Sequence, residues 1–353
     1  MARREHRLRA TAHDTPVRRT ITQARGIARV RSGRGFRYVR HDGRPLKQAG
    51  ALKRIRALAI PPAWRDVWIS ADPKAPLQAT GRDARGRKQY LYHPDWRRVR
   101  EHAKFGRLSR FPRILEKVRR AVRRDLARRV GDKRQVLAAV VRLLETTLAR
   151  VGSSEYARHN GSFGLTTLRN HHATVAGSEV QLWFAGKSGK RHDLAVESPR
   201  VARTVRACQR LPGELFVWVD STGRSHDVTS ADVNTYLREV SGDDLTAKDL
   251  RTWAGTLLAV HFLRGRAPAG GASRRDVSAV VRLVADRLHN TPAVCRKSYI
   301  HPRVIDVFRR PADDAAASRP TFPGRLSDEQ VLERILASQR GVGPQPKLRL
   351  SGQ

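Results

Sequence analysis

The spacing of apolar residues divides the chain into a short strand-rich stretch and a longer stretch of helical period. Phe36-Arg-Tyr-Val-Arg40 follows a Gly-x-Gly turn and reads as a strand. Leu52, Ile55 and Leu58 keep a helical spacing through residues 46–59, which Pro61-Pro62 ends. Trp64 to Ile69 and Leu77 to Thr80 read as further strands, and the basic turn Gly81-Arg-Asp-Ala-Arg-Gly86 leads into Gln89-Tyr-Leu-Tyr92. Residues 26–98 are therefore predicted to form a small β-rich domain, with Trp68 and Trp96 in its core.

From residue 99 the helical period dominates, predicting a mainly α domain over 99–310. Leu137, Val141, Leu144 and Leu148 form one stripe of a long amphipathic helix that is expected to stop at Gly152. Val180, Leu182 and Phe184 alternate strictly, and after Ala185-Gly-Lys-Ser-Gly-Lys190 comes Leu194-Ala-Val196. This is a β-hairpin with Lys187 at or beside its turn. Helical segments resume after Thr229, and the stripe Val277, Val280, Val281, Val284, Leu288 stops at Asn290. Thr291 and Pro292 are an N-cap and a first helical residue, which puts Tyr299 about two turns into a new helix closed by His301-Pro302. Residues 1–25 read as a basic flexible arm, and 311–353 as a tail with one short helix over 327–339, opened by the capping box Ser327-Asp-Glu-Gln330.

Charge changes the picture. Seventy-one Lys and Arg face 32 Asp and Glu among 353 residues, a formal net charge of +39. Such an excess repels itself and calls for a polyanion, so nucleic acid is the expected partner. No apolar run of membrane-spanning length appears, and the start Met-Ala-Arg-Arg-Glu-His lacks a secretion signal. Cys208 and Cys295 have no Cys-x-x-Cys partner, which suits a reducing cytoplasm. The expected location is cytoplasmic and nucleoid-associated, with no membrane. No His-Glu-x-x-His or Cys/His cluster predicts a metal.

Candidate chemistry narrows from there. Gly186-Lys187-Ser188 fails as a phosphate-binding loop, because Gln181 stands where the motif needs its first glycine and a strand is expected afterwards. Phosphodiester chemistry without a metal needs fixed guanidinium groups for the charge on the non-bridging oxygens, a proton donor for the leaving sugar oxygen, and a covalent nucleophile if the strand is to be resealed. One tyrosine, two arginines and one lysine would suffice. Residue type alone cannot pick the arginines among so many cations.

The order of the motifs does pick them. Arg150-Val-Gly-Ser-Ser-Glu-Tyr156, Gly161-Ser-Phe-Gly-Leu-Thr-Thr-Leu-Arg169, Phe184-Ala-Gly-Lys187, Lys248-Asp-Leu-Arg251-Thr and Asn290-Thr-Pro with Lys297-Ser-Tyr299 resemble, in this order, the catalytic blocks of type IB DNA topoisomerases, most closely the compact bacterial and poxvirus-type branch. Gly86-Arg-Lys-Gln-Tyr-Leu-Tyr-His-Pro94 is similar to that family's amino-terminal DNA-clamp motif. The resemblance implies an α+β, two-domain DNA clamp that closes around double-stranded DNA and whose catalytic domain is similar to those of tyrosine recombinases. It implies that Tyr299 is the nucleophile forming a 3′-phosphotyrosyl link, that Arg150 and Arg251 stabilise the transition state, and that Lys187 is the general acid. Asn290 stands where the poxvirus pattern has a histidine. That departure leaves a proton-transfer role unsupported, and the amide NH₂ is assigned hydrogen-bond donation to a non-bridging oxygen. Arg87, Lys88, Gln89, Tyr90 and Tyr92 match the DNA-binding stretch of the clamp. Tyr90 and Tyr92 share one strand face and Gln89 the other, and cross-strand packing is the competing role for the two tyrosines. Neither cofactor nor metal is implied, and relaxation needs only a monomer.

Two alternatives stand beside this reading. A tyrosine recombinase uses the same chemistry, but its second arginine sits in His-x-Leu-Arg-His, from which Asp249-Leu-Arg251-Thr252-Trp253 departs. A non-catalytic basic DNA-binding protein would bind DNA through the same cations and need no Tyr299.

Overall fold

In the computed structural model, residues 26–84, 86–96, 104–266, 271–310 and 325–337 are described. The predicted arm, most of the tail and residues 267–270 of the basic stretch Arg264–Arg275 lie outside them. The chain divides into two units, Met1–Gly106 and Arg107–Gln353.

Strands β1 (Gly26–Ser32), β2 (Gly35–Arg40), β3 (Arg65–Ser70), β4 (Leu77–Arg82) and β5 (Lys88–Tyr92) form one antiparallel sheet in the first unit, in the order β2-β1-β3-β4-β5. Helix α1 (Ala49–Ala57) buries Ile55 with Ile27, Leu46, Val67, Ile69 and Ala79, and Trp64 and Leu91 pack against this cluster. Strand β1 escaped the sequence reading for a physical reason. Its larger apolar residues, Ile27 and Val30, are an odd number of positions apart and so point to opposite faces. Between them Arg29 turns inward and donates to the carbonyls of Ile60, Pro61 and Trp64 at 3.1, 3.0 and 2.7 Å. The core assignment of Trp68 is corrected. It lies half-buried on the face opposite Val67 and Ile69, while Trp64 takes the core contact. Trp96 is likewise half-buried.

The second unit is built around α3 (Lys133–Thr147), whose residues Val136 to Val141 are all buried. A helix buried this completely is a core helix rather than the one-stripe helix its leucine spacing suggests. Around it pack α2 (Phe111–Asp125), α5 (Pro199–Cys208), α6 (Ser230–Ser241) and α7 (Ala247–Arg264). Helix α4 (Ser154–Asn160) and a three-stranded sheet, β6 (Ala173–Ala176), β7 (Glu179–Ala185) and β8 (Arg191–Glu197), follow α3, and a small pair, β9 (Val217–Val219) and β10 (Ser225–Asp227), precedes α6. The unit ends with α8 (Arg274–Arg287), α9 (Pro292–Ser298), α10 (Pro302–Phe308) and α11 (Asp328–Ala337). Thr229 with Asp232, Thr246 with Asp249 and Ser273 with Asp276 form capping boxes that start α6, α7 and α8. Pro302 opens α10, with His301 as its cap, instead of merely closing the helix before it. Helix α11 buries Val331, Leu332, Ile335 and Leu336, and Asp328 accepts from Arg264 at 2.6 Å.

Asp125, at the end of α2, is fully buried and joins three helices. It accepts from Tyr236 of α6 at 2.9 Å, from Arg124 at 3.0 Å and from Arg134 of α3 at 3.5 Å. Although burial alone would raise it, the bonds from Arg124 and Tyr236 hold its pKa below the ordinary carboxylate value. A group shifted this way adds stability above its unfolded pKa, and that stability is lost as pH falls through the folded value. Asp125→Asn is expected to cost about 1–3 kcal/mol at pH 7. The gap from the parent protein should narrow below about pH 4 in urea titrations. A gap that does not depend on pH would show that the charge plays no part.

Candidate active site

Each part of the site is delivered by the end of an element. Helix α3 stops at Leu148, which takes a left-handed C-cap (φ 56°), four residues short of the expected glycine stop. The chain then runs past Gly164, with Leu165 N donating to the Arg150 carbonyl at 2.9 Å and Thr166 N to that of Val151 at 2.7 Å. Gly164 makes this close approach possible, since a Cβ there would lie 2.6 Å from the Gly152 backbone, and Gly152 itself takes a left-handed φ of +111°. Arg150 is thereby fixed on an ordered segment rather than on the helix.

Helix α7 presents Arg251, which is 3% exposed and donates through one terminal nitrogen to the Leu288 carbonyl at 2.8 Å. One turn on, Gly255 and Thr256 receive the nucleophile segment. A Cβ on Gly255 would lie 2.8 Å from the Tyr299 carbonyl oxygen, and the Thr256 hydroxyl donates to that oxygen at 3.1 Å. Thr291 Oγ1 caps α9 by accepting from Val294 N at 3.4 Å, as its sequence position predicts. Tyr299 sits at the C-cap of this two-turn helix, not inside it, and its amide still donates to Cys295 O at 2.9 Å. The Arg251 guanidinium lies 5.4 Å from the centre of the Tyr299 ring and hydrogen-bonds its side chain.

Asn290 closes the cluster. Its Oδ1 accepts from Arg150 at 2.6 Å, and because arginine can only donate, this fixes the amide with Nδ2 facing away. Asn290 Nδ2, a terminal nitrogen of Arg150, and Nε and a terminal nitrogen of Arg251 are buried without a hydrogen-bond partner among the described residues. Buried donors in this state are costly unless a ligand satisfies them. Burial pushes the pKa of both guanidinium groups down, and for Arg251 the nearby Arg150 adds to the effect.

Sequence position thus brings Arg150, Arg251, Asn290 and Tyr299 together. Lys187 opens the turn between β7 and β8 and is exposed, with no hydrogen bond or ion pair to those four among the described residues. Three further residues reach the site that sequence reasoning did not select. Lys190 donates to the Asn290 carbonyl at 2.8 Å, and the rings of His192 and His289 are 4.0 Å apart. Burial, then His289, Arg150, Arg251 and Lys190, push His192 down to about 4, so it is neutral at pH 7. The signal for His192 was available, because it lies on the inward face of β8 in register with Phe184. Cys295 is buried, and its burial raises the thiol to about 11.

In the sheet unit, Gln89 Nε2 donates to Asp83 Oδ2 at 2.9 Å, and Arg87 pairs with the same carboxylate at 2.7 Å. Tyr90 is 43% exposed, its ring 6.3 Å from that of Tyr92, with the Lys88 ammonium 5.8 Å from the ring centre. Trp68, Thr80 and Tyr90 lie in register across β3, β4 and β5, so Tyr90 stands on the face opposite the core. Among the described residues, no helix is long and apolar enough to cross a membrane.

Known proteins resemble this chain. A family model described as the catalytic core of eukaryotic DNA topoisomerase I matches residues 93–317, and one for the N-terminal domain of bacterial DNA topoisomerase IB matches residues 35–83. DNA topoisomerase 1B of Acanthamoeba polyphaga mimivirus is 31% identical over 294 residues, covering 80% of this chain and 88% of that protein. DNA topoisomerase 1B of vaccinia virus (strain Copenhagen) is 21% identical over 270 residues, covering 74% and 81%. The XerH site-specific recombinase bound to its difH substrate overlays with a TM-score of 0.33 at 15% identity, over 54% of this chain and 49% of that one, an overlap too small to argue from. Together the two family matches define the class, a topoisomerase catalytic core behind a bacterial-type amino-terminal domain. The chain belongs to the type IB DNA topoisomerase family and is an isomerase.

Proposed function

We propose that this enzyme relaxes supercoiled duplex DNA by cutting one strand through Tyr299 and resealing it, with neither ATP nor a metal ion. The observation that carries this reading is the set of partnerless buried donors of Arg150, Arg251 and Asn290 gathered at the Tyr299 side chain. The non-bridging oxygens of a phosphodiester would satisfy those donors, most strongly when negative charge builds up on them in the transition state.

The phenolic oxygen of Tyr299 attacks phosphorus as its proton leaves to solvent, and the bond from phosphorus to the 5′ oxygen breaks. Lys187 gives its proton to that oxygen. The 3′ end stays on the tyrosine while the free end rotates. Attack by the 5′ hydroxyl then restores the strand and releases the phenol. One phosphoester bond replaces another at each step, so no external energy is needed. Arg251 holds its positive charge 5.4 Å from the centre of the Tyr299 ring, next to the group that attacks. Asn290 uses Oδ1 to hold Arg150 and Nδ2 to donate to the phosphate, the role given to it where relatives of the poxvirus type have a histidine.

The β-rich domain over 26–98 contributes DNA contacts through Lys88, Tyr90 and Tyr92 on its open face, while Gln89 and Arg87 are engaged by Asp83 and act only after exchanging that partner. The domain over 99–310 carries the catalysis. We read the protein as a bacterial-type, monomeric enzyme working on nucleoid DNA in the cytoplasm, a reading its charge of +39 favours.

Negatively supercoiled plasmid is expected to relax in excess EDTA without nucleotide. Denaturing the reaction with detergent should trap protein on a 3′ DNA end, and peptide mapping should find the link at Tyr299. Absence of relaxation, or a link at another residue, would overturn the proposal.

A further inference from the structure

The hairpin bearing Lys187 touches the tyrosine segment through a residue that no part of the chemistry above requires. Lys190 Nζ donates to the backbone carbonyl of Asn290 at 2.8 Å. At its other end the Lys190 carbonyl accepts from Gly186 N at 2.8 Å, and Gly189 N donates to Gly186 O at 3.0 Å, which closes the tight tip containing Lys187. Beneath the tip, His192 stacks on Phe184 at 4.6 Å and meets His289 at 4.0 Å. It sits so close that a Cβ on Gly186 would lie 2.4 Å from His192 Nε2. Asn290 therefore gathers two parts of the site. Its side chain accepts from Arg150, and its carbonyl accepts from the hairpin.

We propose that Lys190 is a positioning residue, a latch that docks the Lys187 tip onto Asn290 and so presents the general acid in register with the phosphate held by Arg150 and Arg251. A lysine suits the task. Its four-carbon stem spans the gap from the hairpin, and its ammonium makes a charge-assisted bond to the Asn290 carbonyl. Met and Ala have no such donor, whereas Arg can keep the bond. The proposal rests on Lys187 being the acid, and the test separates the two.

The test is single-turnover cleavage of a duplex with a mapped cleavage site, prepared once with the ordinary phosphodiester and once with sulfur in place of the bridging 5′ oxygen. A thiolate leaves without a proton, so a defect in acid delivery disappears with sulfur, while a defect in phosphate stabilisation persists. Lys190→Met is expected to cleave the oxygen substrate about ten- to hundredfold more slowly, below the roughly 10²–10⁴-fold span of general-acid effects. It should match the parent protein on the sulfur substrate, and Lys190→Arg should recover most of the oxygen rate. A parent-like rate for Lys190→Met on oxygen overturns the latch. So does equal slowing on both substrates, which would mean that Lys190 serves the fold or the phosphate instead. Lys187→Ala is the separate control. Failure of sulfur to rescue it rejects Lys187 as the acid, whereas rescue of Lys187→Ala beside a normal Lys190→Met rejects only the latch.

Discussion

Tyr299→Phe is expected to abolish plasmid relaxation, by on the order of 10⁴-fold or more, because it removes the atom that would hold the broken strand. The surrounding structure gives a reason to expect nothing else to change. Phenylalanine gives up the Arg251 hydrogen bond to the phenolic oxygen, but the ring's place beside that guanidinium and the hold on the backbone by the Thr256 hydroxyl and the close approach of Gly255 do not use that oxygen. Phenylalanine keeps the ring, the helix C-cap and the net charge. DNA affinity and its salt dependence, which report phosphate contacts by lysine and arginine, should therefore stay as in the parent protein. The paired measurement is a plasmid relaxation time course beside a filter-binding salt titration. Residual relaxation within tenfold of the parent would shift the covalent role to another residue, whereas loss of binding would show that the phenol serves recognition. The same pair of measurements decides against a non-catalytic DNA-binding protein, which would lose nothing with the hydroxyl.

Part of this was legible in the sequence, and the boundary has physical causes. Strict alternation at Val180, Leu182 and Phe184 marks β7 because one face of that sheet is buried, and Thr291-Pro292 marks the start of α9 because capping is a local interaction. Strand β1 and the inward side of Arg29 were not legible, since an arginine used to satisfy carbonyls breaks the apolar pattern that reveals a strand. The end of α3 at Leu148 was hidden for a related reason. A leucine in a left-handed cap gives no compositional signal, and the glycine four residues later drew the prediction toward itself. Arg150, Arg251, Asn290 and Tyr299 were found through the order of motifs. Burial then singles out Arg251 among the described cations, a property no spacing rule reports. Lys190, Gly255 and Thr256 act through backbone atoms of distant residues, and such contacts leave no trace in residue type.

Arg251 should be the least replaceable of the positive groups. It is 3% exposed, with one terminal nitrogen committed to the Leu288 carbonyl and two further nitrogens buried without partners beside Tyr299. Arg251→Ala removes fixed donors from the place where charge develops, and the expected loss in cleavage rate is about 10²–10³-fold. Arg251→Lys is the more informative change. It keeps a cation but offers a compact ammonium instead of a planar fork, so it cannot hold Leu288 and a phosphate oxygen in the same geometry. Burial and the adjacent Arg150 already push the Arg251 guanidinium down, and the same surroundings would act on an amine whose ordinary pKa starts at about 10.4. The variant must be protonated to work, so its activity should be highest at low pH and fall as pH rises through the depressed amine pKa. The arginine enzyme should show no such loss over that range. Single-turnover cleavage by both proteins between about pH 6 and pH 9 tests this, spanning the range a depressed lysine reaches. A lysine variant that matches arginine at every pH would mean the site needs a positive charge at that position and not the fork.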